Sequence, residues 1–347
     1  QDTGKPDWGS GGAIFAHWEA NWGTNKNGDV GSMLPANYDA VMPTANNPPN
    51  ADLTELYLMQ ALPAGWMLAL GKMDFAAWAD TNAFANNERT QFTSIGLINN
   101  AIAGVFFPYT ANGGFFAYNS PNGAHNLDLV FAKQIATPGQ TGFDDLDNSN
   151  NTYAIEYQFT TNIDNKPGHY LIAGAYSTTD IDKFQVTRGV IRRSELIDEI
   201  QLPGLVEADD NYMVIGNFDQ FLWVKEGAAS RRGGTPVGIG IFARAGWAPD
   251  DRNAVDQFYS FGLGGYGMLI PGRDKDNWGI GWSGTHISDD LRKFVPTLDS
   301  WENNYEVFYN FALAPSVYLT LNAQAIEPAN GELDTAVAVG ARLQVDF

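Results

Sequence analysis

The chain has 347 residues, no cysteine, and a formal net charge of −20 from 40 acidic and 20 basic side chains. That balance argues against a nucleic-acid partner, and the missing cysteines remove disulfide frameworks, thiolate metal sites and cysteine nucleophiles. Aromatic residues make up 13% of the chain, with 10 Trp, 14 Tyr and 21 Phe, more than an ordinary soluble core holds and suited to girdles at a membrane interface.

No stretch reaches the ~18 to 20 uninterrupted apolar residues of a transmembrane helix. The other structure that satisfies every backbone hydrogen bond inside lipid is a closed β-barrel. The chain starts at Gln1 without a basic and apolar leader. The expectation is an exported protein of the bacterial outer membrane whose signal peptide has been removed.

Taken in order, strands are predicted around 13–22, 53–60, 66–74, 101–107, 114–119 and 125–133. Next, Tyr153, Ile155, Tyr157 and Phe159 alternate with Ala154, Glu156, Gln158 and Thr160. Further strands follow around 169–177 and 212–224, and then Val237, Ile239, Ile241, Ala243 and Ala245 alternate with Gly238, Gly240, Phe242 and Arg244. After strands around 256–266 and 276–283, the meander closes with Trp301–Phe311, Ser316–Ala325 and Ala336–Phe347. In the last of these Val337, Val339, Ala341, Leu343, Val345 and Phe347 share one face. An alternating strand that ends on an aromatic residue is what the final strand of an outer-membrane barrel looks like. The fold class is all-β: one transmembrane antiparallel barrel over 1–347 with about 16 strands.

Asn46–Asn50, Asp144–Asn151 and Pro271–Asp274 read as loops. The run Asp144, Asp145, Asp147 lacks the glycine and terminal Glu of a calcium loop, so no cofactor is expected beyond a weak structural calcium ion between acidic loops. Two stretches break the alternation. One, about 77–100, is expected to fold inward as a constriction loop; the other, about 189–207 with its Arg192-Arg193-Ser194-Glu195 cluster, is expected to be irregular or helical.

The runs Leu53–Gln60, Leu68–Asp74 and Asn82–Phe92, and later Glu306–Phe311, Leu321–Pro328 with its Gln324 ahead of the Pro-containing turn, and Gly340–Leu343, resemble the carbohydrate-selective porin family of OprB-type outer-membrane porins. The resemblance spans 50–100 and 256–347. It implies a pore of about 16 strands, often assembled as a homotrimer in outer-membrane lipid and lipopolysaccharide, through which sugars diffuse passively.

A diffusion channel needs no catalyst, only a constriction whose polar groups replace part of the solute's water shell. For sugars that lining combines charged or amide groups with aromatic surfaces. Lys72 and Asp74 share strand parity and stand about 7 Å apart. Asp80, Asn82, Glu88, Arg89 and Gln91 lie on the inward loop, Asp80 and Asn82 being better placed to cap a short helix there. Arg244, Glu302, Glu306, Gln324 and Arg342 point to the predicted lumen, where opposed acidic and basic walls set up a transverse field or brace the barrel. Trp18, Trp22, Trp66 and Trp78 are expected in girdles or wall packing, with stacking against a sugar ring as the alternative.

The alternatives are a general or cation-preferring porin for small polar solutes and, less favoured, an outer-membrane barrel enzyme. For the enzyme, His17, His125, His169 and His286 are the available imidazoles. None lies in a nucleophile or metalloprotease motif, and no P-loop spacing occurs.

Overall fold

The computed structural model describes residues 11–24, 27–38, 50–108, 110–133, 150–186, 205–227 and 235–346. Its strands, in chain order, are β1 (Gly12–Asn21), β2 (Asn50–Ala61), β3 (Trp66–Met73), β4 (Ala111–Asn119), β5 (His125–Lys133), β6 (Asn151–Ile163), β7 (Lys166–Ser177) and β8 (Ile181–Val186). They continue with β9 (Leu205–Ala208), β10 (Asn211–Val224), β11 (Gly238–Trp247), β12 (Val255–Tyr266), β13 (Asn277–Ile287), β14 (Trp301–Ala314), β15 (Val317–Glu327) and β16 (Ala336–Val345). Three short helices, α1 (Ile95–Ile98), α2 (Ala103–Phe106) and α3 (Asp289–Phe294), lie in the connections.

Fourteen strands form a single antiparallel sheet in chain order, with β7 paired directly to β10, and β8 and β9 make a separate hairpin. The sheet thus holds fourteen of the sixteen strands. Among the described residues β1 registers with β2 and β16 with β15, and no register joins β1 to β16. Connections differ in length between the two ends. At one end β6 and β7 are joined by Asp164-Asn165, with φ of 51° and 61°, the doubly left-handed turn whose twist matches paired strands. Pro315-Ser316 joins β14 to β15 at the same end. The opposite end carries the long connections 22–49, 74–110 and 178–210.

The alternation read from the sequence is the wall. On β14 Glu302, Asn304, Glu306 and Asn310 are buried inward while Tyr305 and Val307 are 45% and 50% exposed. On β16 the outward Val337 and Val339 are 76% and 81% exposed. Strand direction sorts the outward aromatics into two belts. Tyr153, Tyr176, Tyr212, Trp247, Tyr259 and Trp301 mark the long-loop end. Trp66, stacked on Phe116 at 4.4 Å, with Phe159, Tyr170, Tyr309 and Phe311, marks the short-turn end. Such belts sit at the two membrane–water interfaces. Trp18 and Trp22 stand exposed at the long-loop end. No helix of the structure is long and apolar enough to cross a membrane.

One expectation needs correction. Residues 101–107 are not a strand: Ala103–Phe106 is α2, and the run is apolar because Ala101, Ile102 and Phe106 pack into the interior. Of 189–207, the part 205–207 belongs to β9 and the remainder lies outside the described residues. Trp78 lies inside the sheet, packed on Tyr57 and Phe115 of the wall. The Asp144–Asp147 run proposed for weak calcium binding and the terminal Phe347 lie outside the described residues.

Ile172, midway along β7 and 57% exposed on the outer face, tests the lipid-facing assignment. Ile172→Arg is expected to cost roughly 2–4 kcal/mol in reversible unfolding from lipid vesicles, while Gln158→Arg on the inner face costs less than about 1 kcal/mol. Equal, small effects would place Ile172 outside the hydrocarbon.

Candidate functional site

The connection between β3 and β4, residues 74–110, folds onto the inner face of the sheet and is tied there by three sets of side chains. It starts where β3 ends: the Asp74 amide donates to Glu55 Oε1 at 3.0 Å and the Asp74 carboxylate accepts the Ala76 amide at 2.9 Å, a local turn that sends the chain off the wall. Beneath it, Lys72 is buried and its Nζ donates to the Leu53 carbonyl at 3.2 Å. The two same-parity residues serve the root of the segment.

The first anchor is Asp80, left-handed at φ 55°. Asn217 on β10 and Arg244 on β11 are register partners, so both reach the same point inside the sheet. Asn217 Nδ2 donates to Asp80 Oδ1 at 2.7 Å and to the Asp80 carbonyl at 3.0 Å. Arg244 Nε donates to Asp80 Oδ2 at 2.9 Å, and the rest of the guanidinium donates to the carbonyls of Asp80, Ala85 and Leu97. The Asn100 amide donates to Asp80 Oδ2 at 2.6 Å, and the Asp80 amide donates to Glu156 Oε2 on β6 at 3.1 Å. Through its carboxylate, carbonyl and amide, Asp80 thereby gathers β6, β10, β11 and both limbs of the segment.

The second anchor surrounds Asn82 and Gln91. Asn82 Nδ2 donates to Asn217 Oδ1 at 2.7 Å, and the Ala83 amide donates to Asp219 Oδ2 at 2.9 Å. Gln91 Oε1 accepts the amides of Asn86 and Asn87, both at 2.8 Å, and Arg342 on β16 donates to the Gln91 carbonyl. The third uses β14 and β15. Glu306 accepts the Thr93 amide and hydroxyl at 2.8 Å each and the Ser94 amide at 3.0 Å. Gln324 donates to Thr93 Oγ1 at 2.6 Å and to the Ala36 carbonyl at 2.8 Å. Glu302 accepts the amides of Met33 and Leu34 at 2.7 and 3.0 Å, which brings part of the β1–β2 connection inside as well.

Apolar packing completes the attachment. Phe84, Phe92, Leu97 and Ile98 pack on Phe221, Phe242 and Phe308 of the wall. Glycine makes the fit: a Cβ at Gly240 or Gly264 would stand 2.5 or 2.6 Å from the Phe84 side chain. The segment therefore fills the interior on the β10–β16 side.

On the other side, against β3–β7, a cavity of about 450 Å³ remains. It reaches from Tyr38 and Ile95 to Asn119 and Gly123 at the β4–β5 turn. Trp78 and Phe115, ring centroids 5.3 Å apart, and Phe75 and Phe107, 5.7 Å apart, supply aromatic surface. Asp80, Asn126, Asp128, Glu156, Gln158 and Thr160 supply polar groups.

Of the twelve residues singled out in the sequence, Asp80 lines this cavity. Asp74, Asn82, Gln91, Arg244, Glu302, Glu306, Gln324 and Arg342 hold the segments inside the sheet, and Lys72 is buried with its Nζ on the Leu53 carbonyl of β2. Glu88 and Arg89 form an exposed ion pair at 3.6 Å. Opposed acidic and basic walls do not face this cavity: its described lining carries carboxylates and no Lys, Arg or His, because the inward-pointing Arg244 is buried in the Asp80 cluster. Asp128 and the role of Glu156 escaped sequence reasoning. The alternation of β5 and β6 placed Asp128 and Glu156 on the inner face, but which part of that face stays uncovered depends on the path of 74–110.

Removing one partner of a buried ion pair leaves the other charge uncompensated, at ~3–5 kcal/mol. Arg244→Met is expected to release the 74–110 segment, seen as protease cleavage within it and a larger single-channel conductance. Arg244→Lys fails to restore the parent values, since one ammonium cannot replace the planar fork over three carbonyls. Unchanged conductance in Arg244→Met would show that the pair does not position the segment.

The geometry is that of an antiparallel sheet with a long connection folded against its inner face. The profile of the carbohydrate-selective porin, OprB family matches residues 33–347. The high-pH structure of Pseudomonas putida OprB superposes with a TM-score of 0.74 at 18% identity, covering 93% of this chain and 80% of that one. The low-pH structure of the same protein gives 0.50 at 16% identity, covering 86% and 69%, and the Acinetobacter baumannii outer membrane channel DcaP gives 0.47 at 10%, covering 97% and 98%. Among curated protein sequences none matches the chain. With the family profile running from Met33 to the last residue, over a fold that the first of these structures shares, the chain belongs to the carbohydrate-selective porin, OprB family.

Proposed function

We propose that sugars cross the outer membrane through the cavity between the 74–110 segment and the β3–β7 wall, by passive diffusion. The observation that carries this reading is the pairing of surfaces in that cavity. Trp78 and Phe115 offer flat apolar faces that match the C–H face of a pyranose, while Asn126, Gln158 and Thr160 offer amide and hydroxyl groups to its hydroxyls. Sites of this kind bind weakly, and passage requires that they do. The porin family and the fold point to a channel and not to an enzyme.

The same reading includes a homotrimer in outer-membrane lipid and lipopolysaccharide. The outward aromatic belts support the lipid contact, and cross-linking in native membranes tests the trimer.

Planar-bilayer recordings with glucose titrated on one side test the passage. Concentration-dependent block is expected in the parent chain. An aromatic contact contributes ~0.5–1.5 kcal/mol, so Trp78→Ala is expected to weaken that block by about 2- to 12-fold. Conducting channels that ignore sugar would replace this reading with a general porin.

A further inference from the structure

Asp128 on β5 and Glu156 on β6 are register partners, both pointing into the cavity. Like charges placed opposite each other across strands destabilise a sheet, and a wall bordering a cavity has no structural need of such a pair. Elsewhere inside this sheet carboxylates are matched by donors: Glu306 by Thr93 and Ser94, Glu302 by three backbone amides, Asp80 by Arg244. The pair is treated differently. Asp128 Oδ1 accepts from Asn126 Nδ2 at 3.2 Å, Glu156 Oε2 accepts the Asp80 amide at 3.1 Å, and no Lys, Arg or His stands among the cavity's described lining. Glu156 is only 4% exposed, so bulk water and salt screen it weakly. The same cavity is lined by Trp78 on the inward segment and by Phe115 on β4, the strand next to Asp128.

A solute that satisfies both walls has an apolar ring face, several hydroxyls and a positive charge. We infer that this channel selects protonated amino sugars over neutral hexoses of the same size, and discriminates against sugar acids. The ammonium makes charge-assisted hydrogen bonds to Asp128 and Glu156 while the ring rests on Trp78. A carboxylate-bearing sugar meets carboxyl groups and no cation among the cavity's described lining. Asp128 and Glu156 are then the specificity-determining residues of the passage, and neither was among the residues singled out in the sequence. The acidic balance of the chain has a local counterpart at this point of the wall.

This inference rests on the sugar-passage reading, and one experiment separates the two. Glucosamine, glucose and glucuronate are titrated against single channels of the full chain at neutral pH and fixed ionic strength. Glucosamine is expected to block at about tenfold lower concentration than glucose, and glucuronate to be the weakest. In Asp128→Asn and in Glu156→Gln the glucosamine-to-glucose ratio falls towards one, while Asp128→Glu, which keeps the charge, retains it. Equal block by glucosamine and glucose in the parent chain, or a ratio that survives Asp128→Asn and Glu156→Gln, overturns the inference and leaves the sugar passage standing. Channels blocked by none of the three sugars overturn both.

Discussion

The ion pair between Arg244 and Asp80 sets where the passage runs. Its guanidinium is fully buried and makes four hydrogen bonds, to one carboxylate and to three backbone carbonyls from both limbs of the inward segment. A buried pair of this kind adds little net stability over well-packed apolar residues. What it does supply is position: a carboxylate in the low-dielectric interior has few alternatives to its one cation, so the segment has one place to lie. That place is prepared by register, since Asn217 and Arg244 sit opposite each other on β10 and β11.

Once the segment is held at Asp80, the remainder of the interior divides. On the β10–β16 side, inward glycines leave room for Phe84, Phe92 and Leu97, and the carboxylates and amides of β14 and β15 take up the backbone donors of Thr93 and Ser94. In this half the backbone groups of Thr93, Ser94 and Gln91 each meet a partner on the wall. On the β3–β7 side the wall faces space, and its residues are of a different kind: alanines, aromatic rings, amides and the paired carboxylates of Asp128 and Glu156. Polar residues are numerous on both halves, with opposite consequences. In one they attach protein to protein; in the other they are left to meet a solute.

The same distinction explains which site residues were legible. Parity told that Arg244, Glu302, Glu306, Gln324 and Arg342 face inward, and they do. It does not tell whether an inward residue meets water or another piece of chain, because alternation reports which face a side chain leaves from and nothing about what lies beyond it. Trp78 shows the converse. A tryptophan in a protein rich in outward aromatics reads as girdle, yet it lies on the connection that turns inside, a placement made by Asp74 and Asp80 and not by any strand pattern.

The sequence by itself determined the wall: a strand period of two repeated along the chain, apolar on one face and small or polar on the other, cannot bury itself except as a lipid-facing antiparallel sheet, and the runs around Leu53–Gln60 and Glu306–Phe311 carried the family. Tertiary structure decided the passage. The 74–110 segment has no period to read, and its course depends on contacts between residues more than a hundred positions apart, such as Asp80 with Arg244 and Thr93 with Glu306. Only when those contacts form does the interior acquire a filled side and an open one. That choice is what turns an ordinary cross-strand neighbour pair, Asp128 and Glu156, into part of the channel's lining.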